Sequence, residues 1–279
     1  MITEKGNASG SAFKFPNTVY NAAGGYLSIC SGIKGYNVTV TNGAQSGLAS
    51  MAYAMSVLRS GQENAMLATG SDENSDIMTE LFGKLGVTSE KVVAPFAGND
   101  GFVLSDGSAS VLIEDEKAAR ERGARIYCHA AGYGMAHSNV KFGTLTGSEA
   151  GLTNAVNNAL ADAGMTIDDI DAVFGFANGM KAVDDVEIKG LTAVFGDKLA
   201  EKPVGELKEV LGESRAAAAT TAAAHAALMF AGKIPSQEAY SIAADGSVSK
   251  TNVEASKLNN VLVVAYGAGG SYTAIVLSK

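Results

Sequence analysis

Tryptophan is absent from this 279-residue chain, and cysteine, histidine and proline are scarce, at two, three and four residues. The two cysteines, Cys30 and Cys128, are too few for a disulfide framework and fit a reducing compartment. There is no CxxC, no HExxH and no His-rich cluster, so neither a metal nor another resident cofactor is expected. No apolar run approaches the ~18 residues of a membrane span, and the opening MITEKGNASG lacks an apolar signal core. The expected location is therefore cytoplasmic. Basic residues are also in deficit: 21 Lys and Arg stand against 29 Asp and Glu, for a net charge of −8. No basic cluster relieves that balance, which excludes nucleic acid or an anionic membrane as the main partner.

What is present is a chain 47% hydrophobic with 33 glycines, long enough to bury a large core. The stretch from Thr39 to Asp76 is the most informative. It reads as a strand (Val38 to Thr41), a tight turn of small residues, a buried helix (Gln45 to Leu58) and a second buried strand (Ala65 to Thr69). Upstream, residues 1–15 read as a polar arm and Asn21 to Gly35 as a short helix. Downstream, Ser75 to Leu85 is predicted helical. Phe102 to Leu104 and Ser110 to Glu114 read as strands joined by the SDG turn at Ser105–Gly107. Glu116 to Arg122 is a charged helix ended by Gly123, and Arg125 to Tyr133 a strand.

In the second half, Ser148 to Ala163 is an amphipathic helix between a serine N-cap and the C-cap Gly164. Ala172 to Phe176 is a strand, Val183 to Phe195 a helix and Ser214 to Ala231 a helix of mostly small residues. Val261 to Tyr266 and Tyr272 to Leu277 are strands flanking Gly267–Gly270. Alternating strands and helices predict a layered α/β architecture. The two Ala-rich helices, Ser46–Ser60 and Ser214–Ala231, carry small residues on every side, so they belong between layers. Their likeness suggests an internally duplicated fold.

Several segments, in order, resemble the β-ketoacyl synthases, condensing enzymes of the thiolase-like fold. TNGAQSGLASMAYAMSVLRSG matches the nucleophile turn and helix, and PFAGNDGFVLSDGSASVLIED the hairpin containing DGFV. FANGMKAVDDVEIKGLTAVFG matches the first active-site histidine segment. GELKEVLGES with the following Ala-rich helix matches the Lys and second-histidine segment, and YGAGGSYTAIVL the C-terminal glycine turn. The resemblance implies a layered α-β-α-β-α thiolase-like fold. Residues 1–147 would form the remainder of an N-terminal half and 148–279 a C-terminal half. It begins shortly before the nucleophile strand, so the first strands of the N-terminal half are expected to be missing or supplied by another chain.

Family members use a Cys nucleophile, two His and a Lys. Carried over residue by residue, the Cys position is Ala44, the first His Asn178 and the second His Glu213, while the Lys is kept as Lys208. The gating Phe of the glycine turn is Ala268. With Gly269, Gly270 and Phe102 it is the expected substrate-contacting set. Alanine has no lone pair with which to attack, an ionised Glu213 would repel an enolate, and Asn178 is neither acid nor base. Gln45, one place after Ala44, has two readings: a decarboxylase or chain-length-factor glutamine, or a polar residue at a helix N-terminus.

Other residues have plainer readings. Ser46 bonds to backbone, and Cys30 is a buried small hydrophobe. Cys128 and His129 point to opposite faces of a strand. His225 lies in the core and His137 in a loop. Asn178 also reads as a turn-former, and Asp106 as one more. Lys208 is expected to pair with Glu213 or Asp184, whose neighbour Glu187 reads as structural.

These departures imply a non-catalytic ketosynthase-like subunit, a chain-length factor or stabilising partner in fatty-acid or polyketide-type synthesis. Its expected partners are an active ketosynthase or a second copy of itself, together with an acyl carrier protein. Thr39 to Asp76 and the helix Asn21–Gly35 would supply the dimer interface. The alternatives are a β-ketoacyl synthase or acyltransferase with an altered site, and a split-gene remnant acting as a binding scaffold.

Overall fold

The structure is a computed structural model that describes residues 13–141 and 147–279; most of the arm expected over residues 1–15 lies outside these. The chain divides between Thr41 and Asn42 into two units. In the first, the helix α1 (Ala22–Ser31) ends at Gly32, whose φ of +65° closes it, and none of its residues is buried. Cys30 is exposed, not buried as the sequence suggested. Val38 to Thr41 forms no strand: no partner for it exists among the described residues.

The second unit carries the fold. The helix α2 (Ser46–Arg59) leads into β1 (Ala65–Asp72), then α3 (Asp76–Lys84), β2 (Gly107–Glu114) and α4 (Glu116–Glu121). β1 and β2 form an antiparallel pair with Ala65 opposite Glu114. There follow β3 (His129–His137), α5 (Glu149–Ala163), β4 (Ala172–Phe174), α6 (Lys181–Phe195), β5 (Val204–Gly205), α7 (Lys208–Leu211) and α8 (Ala216–Phe230). Last come β6 (Ser236–Ile242), β7 (Val248–Glu254), β8 (Asn260–Gly267) and β9 (Ser271–Ser278). A seven-stranded sheet runs in the order β3-β9-β8-β4-β5-β6-β7, with β4 parallel to β5 and β8.

α2 and α8 pack on each other between this sheet and the β1–β2 pair, and α5 with α6 covers the far face. Four of the five expected layers are thus present among the described residues. On the outer face of β1–β2, Leu67 and Leu112 are exposed, so β1 is half-buried instead of fully enclosed.

Several sequence boundaries shift for identifiable reasons. Phe102 to Leu104 does not pair with Ser110 to Glu114; Phe102 bridges Thr88 and Leu104 bridges Glu213. Asp106 accepts from the Asn74 N–H, holding the turn between them. β3 starts at His129, not Arg125, because its partner β9 ends opposite it at Ser278, and it runs on to place His137 in a strand. Ser148 precedes α5 without a side-chain cap; its own N–H donates to the Tyr272 hydroxyl instead. The β6–β7 hairpin was not read from the sequence at all.

The two central helices approach so closely that glycine is required. A Cβ on Gly47 of α2 or on Gly70 of β1 would overlap the Ala216 carbonyl and the Thr220 hydroxyl of α8. Gly47→Ala should therefore destabilise the protein by about 2–3 kcal/mol through overpacking, although alanine is the better helix former by ~1 kcal/mol. Urea unfolding measures the sign directly.

Candidate functional site

The turn before α2 is a single 3-10 turn, Gly43–Gln45, opened by Gly43 with φ +65°. The Ser46 hydroxyl donates to the Gly43 carbonyl at 2.6 Å and accepts from the Asn42 N–H at 2.8 Å. It is a local brace. Ala44 is half-buried and faces the glycine turn: a Cβ on Gly267 would lie 3.6 Å from the Ala44 nitrogen. Ala268 and Gly269 are exposed, while Gly270 is buried and its carbonyl binds the Ser138 N–H and His137 Nδ1. Gly269 and Gly270 have φ of +101° and +84°, as a tight turn here requires. Gln45 is fully buried; its Oε1 accepts from the Thr273 hydroxyl at 2.5 Å, and its Nε2 has no partner among the described residues.

A second cluster gathers Asn178 and Glu213 around Lys208. Lys208 Nζ donates to Glu213 Oε2 at 2.9 Å and to the Phe176 carbonyl at 2.8 Å, and stands 3.2 Å over the Phe176 ring. Asn178 Nδ2 donates to the same Glu213 oxygen at 3.0 Å. Glu213 Oε1 accepts the Arg215 N–H at 2.8 Å. Glu213 is therefore fully occupied, with a counter-ion. Asn178 Oδ1 accepts from the Met180 N–H at 3.1 Å, a local bond of the kind a turn-former makes. The Phe176 ring meets Tyr266 edge-on at 5.4 Å, and Tyr266 runs directly into the Gly267 turn.

The backbone that presents Asn178 is clamped by three buried carboxyl groups. Glu187 Oε2 accepts from the Phe176 N–H, Glu206 Oε1 from Ala177, and Asp184 Oδ1 from Asn178 and Gly179. A Cβ on Gly175 would overlap oxygens of both Glu187 and Glu206. Burial raises the pKa of all three. Glu206 is raised well above the ordinary value by its burial and then by the Glu187 charge.

Glu206 and Arg215 were missed by sequence reasoning. Glu206 lies two residues before Lys208 in a charged segment that gives no sign of burial. Arg215 holds a left-handed φ of +48° and donates to Asp72 Oδ1 and the Glu73 carbonyl. Phe102 is buried against Phe82, with ring centroids 5.8 Å apart. The next residue, Val103, accepts the Glu213 N–H through its carbonyl at 2.7 Å.

The remaining candidates stay apart from both clusters. Burial pushes the Cys128 thiol up to about 11, leaving it a poor nucleophile at neutral pH. His225 packs 5.7 Å from the Phe174 ring, and burial lowers its pKa. His129 lies 3.7 Å from Glu116.

Two family models match the chain: the beta-ketoacyl synthase N-terminal domain over residues 1–119 and the beta-ketoacyl synthase C-terminal domain over residues 127–240. A 3-oxoacyl-[acyl-carrier-protein] synthase 2 from Vibrio cholerae is 30% identical over 204 residues, covering 70% of this chain and 49% of its own length. Among solved structures, the ishigamide ketosynthase/chain length factor superposes with a TM-score of 0.88 at 22% identity, over 100% of this chain and 70% of that one. A type II polyketide acyl-carrier protein in complex with its ketosynthase gives 0.87 at 20% identity, over 98% and 72%. The chain belongs to the β-ketoacyl synthase family and has its thiolase-like fold. It spans about half the length of relatives such as the Vibrio cholerae synthase.

The raised pKa of Glu206 sets a pH dependence. The unfolded chain releases this proton near the ordinary glutamate value of 4.5, whereas the folded state holds it to higher pH. The native state then binds more protons, so stability falls as pH rises above that value until Glu206 ionises in the folded state. Urea unfolding between about pH 5 and pH 8 should show this decline, and Glu206→Gln should flatten it. Lys208→Met, which strands Glu213 without its counter-ion, should cost about 3–5 kcal/mol.

Proposed function

We propose that this chain is a non-catalytic ketosynthase-like subunit, acting as a chain-length factor or stabilising partner in fatty-acid or polyketide-type synthesis. The observation that carries the reading is the state of the two histidine positions. Condensation in the family needs a thiolate to take the acyl group and two neutral donors to stabilise the enolate. Here position 44 has no nucleophilic atom. Position 213 is an anion whose two oxygens are filled by Lys208, Asn178 and a backbone N–H. A negative charge in that place opposes the charge that an enolate would develop.

The partner of this subunit would be an active ketosynthase, in a heterodimer, or a second copy of the chain. An acyl carrier protein would deliver the growing chain to the pair. The small side chains of Ala44 and Ala268 would leave space at the mouth of the partner's acyl pocket. One solved relative is a ketosynthase/chain length factor, and another is an acyl-carrier protein in complex with its ketosynthase; both assemblies fit this reading. No helix among the described residues is long and apolar enough to cross a membrane.

Intact-mass spectrometry after incubation with acyl- and malonyl-carrier protein tests the reading, with and without a co-expressed ketosynthase. The expected result is no adduct on this chain and co-purification with the ketosynthase; an acyl adduct on this chain would overturn it. Ala44→Cys should acquire an alkylatable thiol in the turn before α2 yet yield no condensation product, because positions 178 and 213 are unchanged.

A further inference from the structure

Asparagine is followed by glycine at two places in the chain, Asn42–Gly43 and Asn178–Gly179. Such a step can close on itself. The glycine amide nitrogen attacks the side-chain carbonyl carbon, the bond to Nδ2 breaks, and ammonia leaves behind a cyclic succinimide. Water then opens the ring to aspartate or to isoaspartate, with no change of oxidation state. Glycine favours the attack because no side chain crowds its nitrogen. The two steps differ in what controls this reaction. Asn178 is buried, its carboxamide is held by Glu213 and the Met180 N–H, and the Gly179 N–H is held by Asp184 Oδ1 at 3.2 Å. Asn42 and Gly43 are both exposed, and neither the Asn42 carboxamide nor the Gly43 N–H has a hydrogen-bond partner among the described residues. We propose that Asn42–Gly43 is a modification site, where the chain deamidates spontaneously at a rate held down by the Ser46 hydroxyl.

The restraint is visible in the turn. Asn42 has a ψ of +34°, which points the Gly43 nitrogen away from the side-chain carbon, so closure needs rotation about the Cα–C bond of Asn42. Gly43, at φ +65°, has nothing but its chain neighbours within 4 Å of where a Cβ would stand among the described residues, so the rotation has room. Ser46 opposes it. Its hydroxyl bonds the Asn42 N–H on one side and the Gly43 carbonyl on the other. Rotation separates the two groups that the hydroxyl joins, so at least one bond must break first. The product bears on the site. The carboxylate of aspartate would lie just before the N-terminus of α2, where the helix dipole favours a negative charge. Isoaspartate instead carries the main chain through its side-chain methylene and lengthens the turn. The turn has little slack: a Cβ on Gly267 would lie 3.2 Å from the Asn42 carbonyl oxygen and 3.6 Å from the Ala44 nitrogen. Isoaspartate would thus displace Ala44 from the glycine turn. The proposal stands on the Asn42 turn and does not depend on the absence of catalysis.

The test incubates the full chain in mildly alkaline buffer, folded and in urea, and maps its peptides by tandem mass spectrometry over time. Conversion makes the tryptic peptide Gly35–Arg59 heavier by about 1 Da, and fragmentation places the gain. The expected result is progressive conversion at Asn42 in the folded chain with Asn178 intact, and conversion of both in urea. Ser46→Ala should quicken the reaction at Asn42 by about fivefold or more, the gain in opening when such hydrogen bonds are lost, with Asn178 still intact. Ser46→Thr, which keeps the hydroxyl, should restore the slow rate. Asn42→Gln, whose longer side chain closes a less favoured ring, should remove the gain at residue 42. An Asn42 that keeps its amide in the folded chain while converting in urea overturns the proposal. So does a rate that Ser46→Ala leaves unchanged, or quickens equally at Asn178.

Discussion

Four carboxyl groups, Asp184, Glu187, Glu206 and Glu213, are buried around one ammonium, Lys208. Desolvating so many acids beside a single cation is sustainable only if some stay protonated and the rest are filled with hydrogen-bond donors. Burial raises the pKa of Asp184, Glu187 and Glu206, which favours their neutral forms. Four consecutive backbone N–H groups from Phe176 to Gly179 end on carboxyl oxygens, while Glu187 Oε1 and Glu206 Oε2 have no partner among the described residues. Lys208 closes the arrangement by joining the Phe176 carbonyl to Glu213. The loop carrying Asn178, the start of α6 and the approach to α8 are tied together at this point.

The same arrangement turns the hydrogen bonding of the two side chains inward. Asn178 donates to Glu213 and accepts from the Met180 N–H, and Glu213 takes Lys208 and the Arg215 N–H as well. Each of these buried polar groups is satisfied by the protein itself.

Much of this was legible in the sequence, but unevenly. The central helices were readable because small residues on all sides leave no other location for them. The Lys208–Glu213 pair was readable from a spacing of five across a turn. The glycine turn at Gly267–Gly270 was readable because no helix follows it. Glu206 was invisible because its burial depends on Gly175, thirty-one residues earlier, which cedes the space for its carboxyl group. Cys30 misled because helical apolar spacing predicts a face without naming what covers it. The start of β3 misled because a strand ends where its partner does, and the Ser278 end of β9 is a fact of register.

The triple bonding of Glu213 also bears on how this chain could change. A histidine restored at that position alone would leave Lys208 without its carboxylate and remove the acceptor that Asn178 and the Arg215 N–H now use. Position 213 is thus exchangeable without loss only together with the side chains that bond to it, because a single replacement strands a buried ammonium and a buried amide at once.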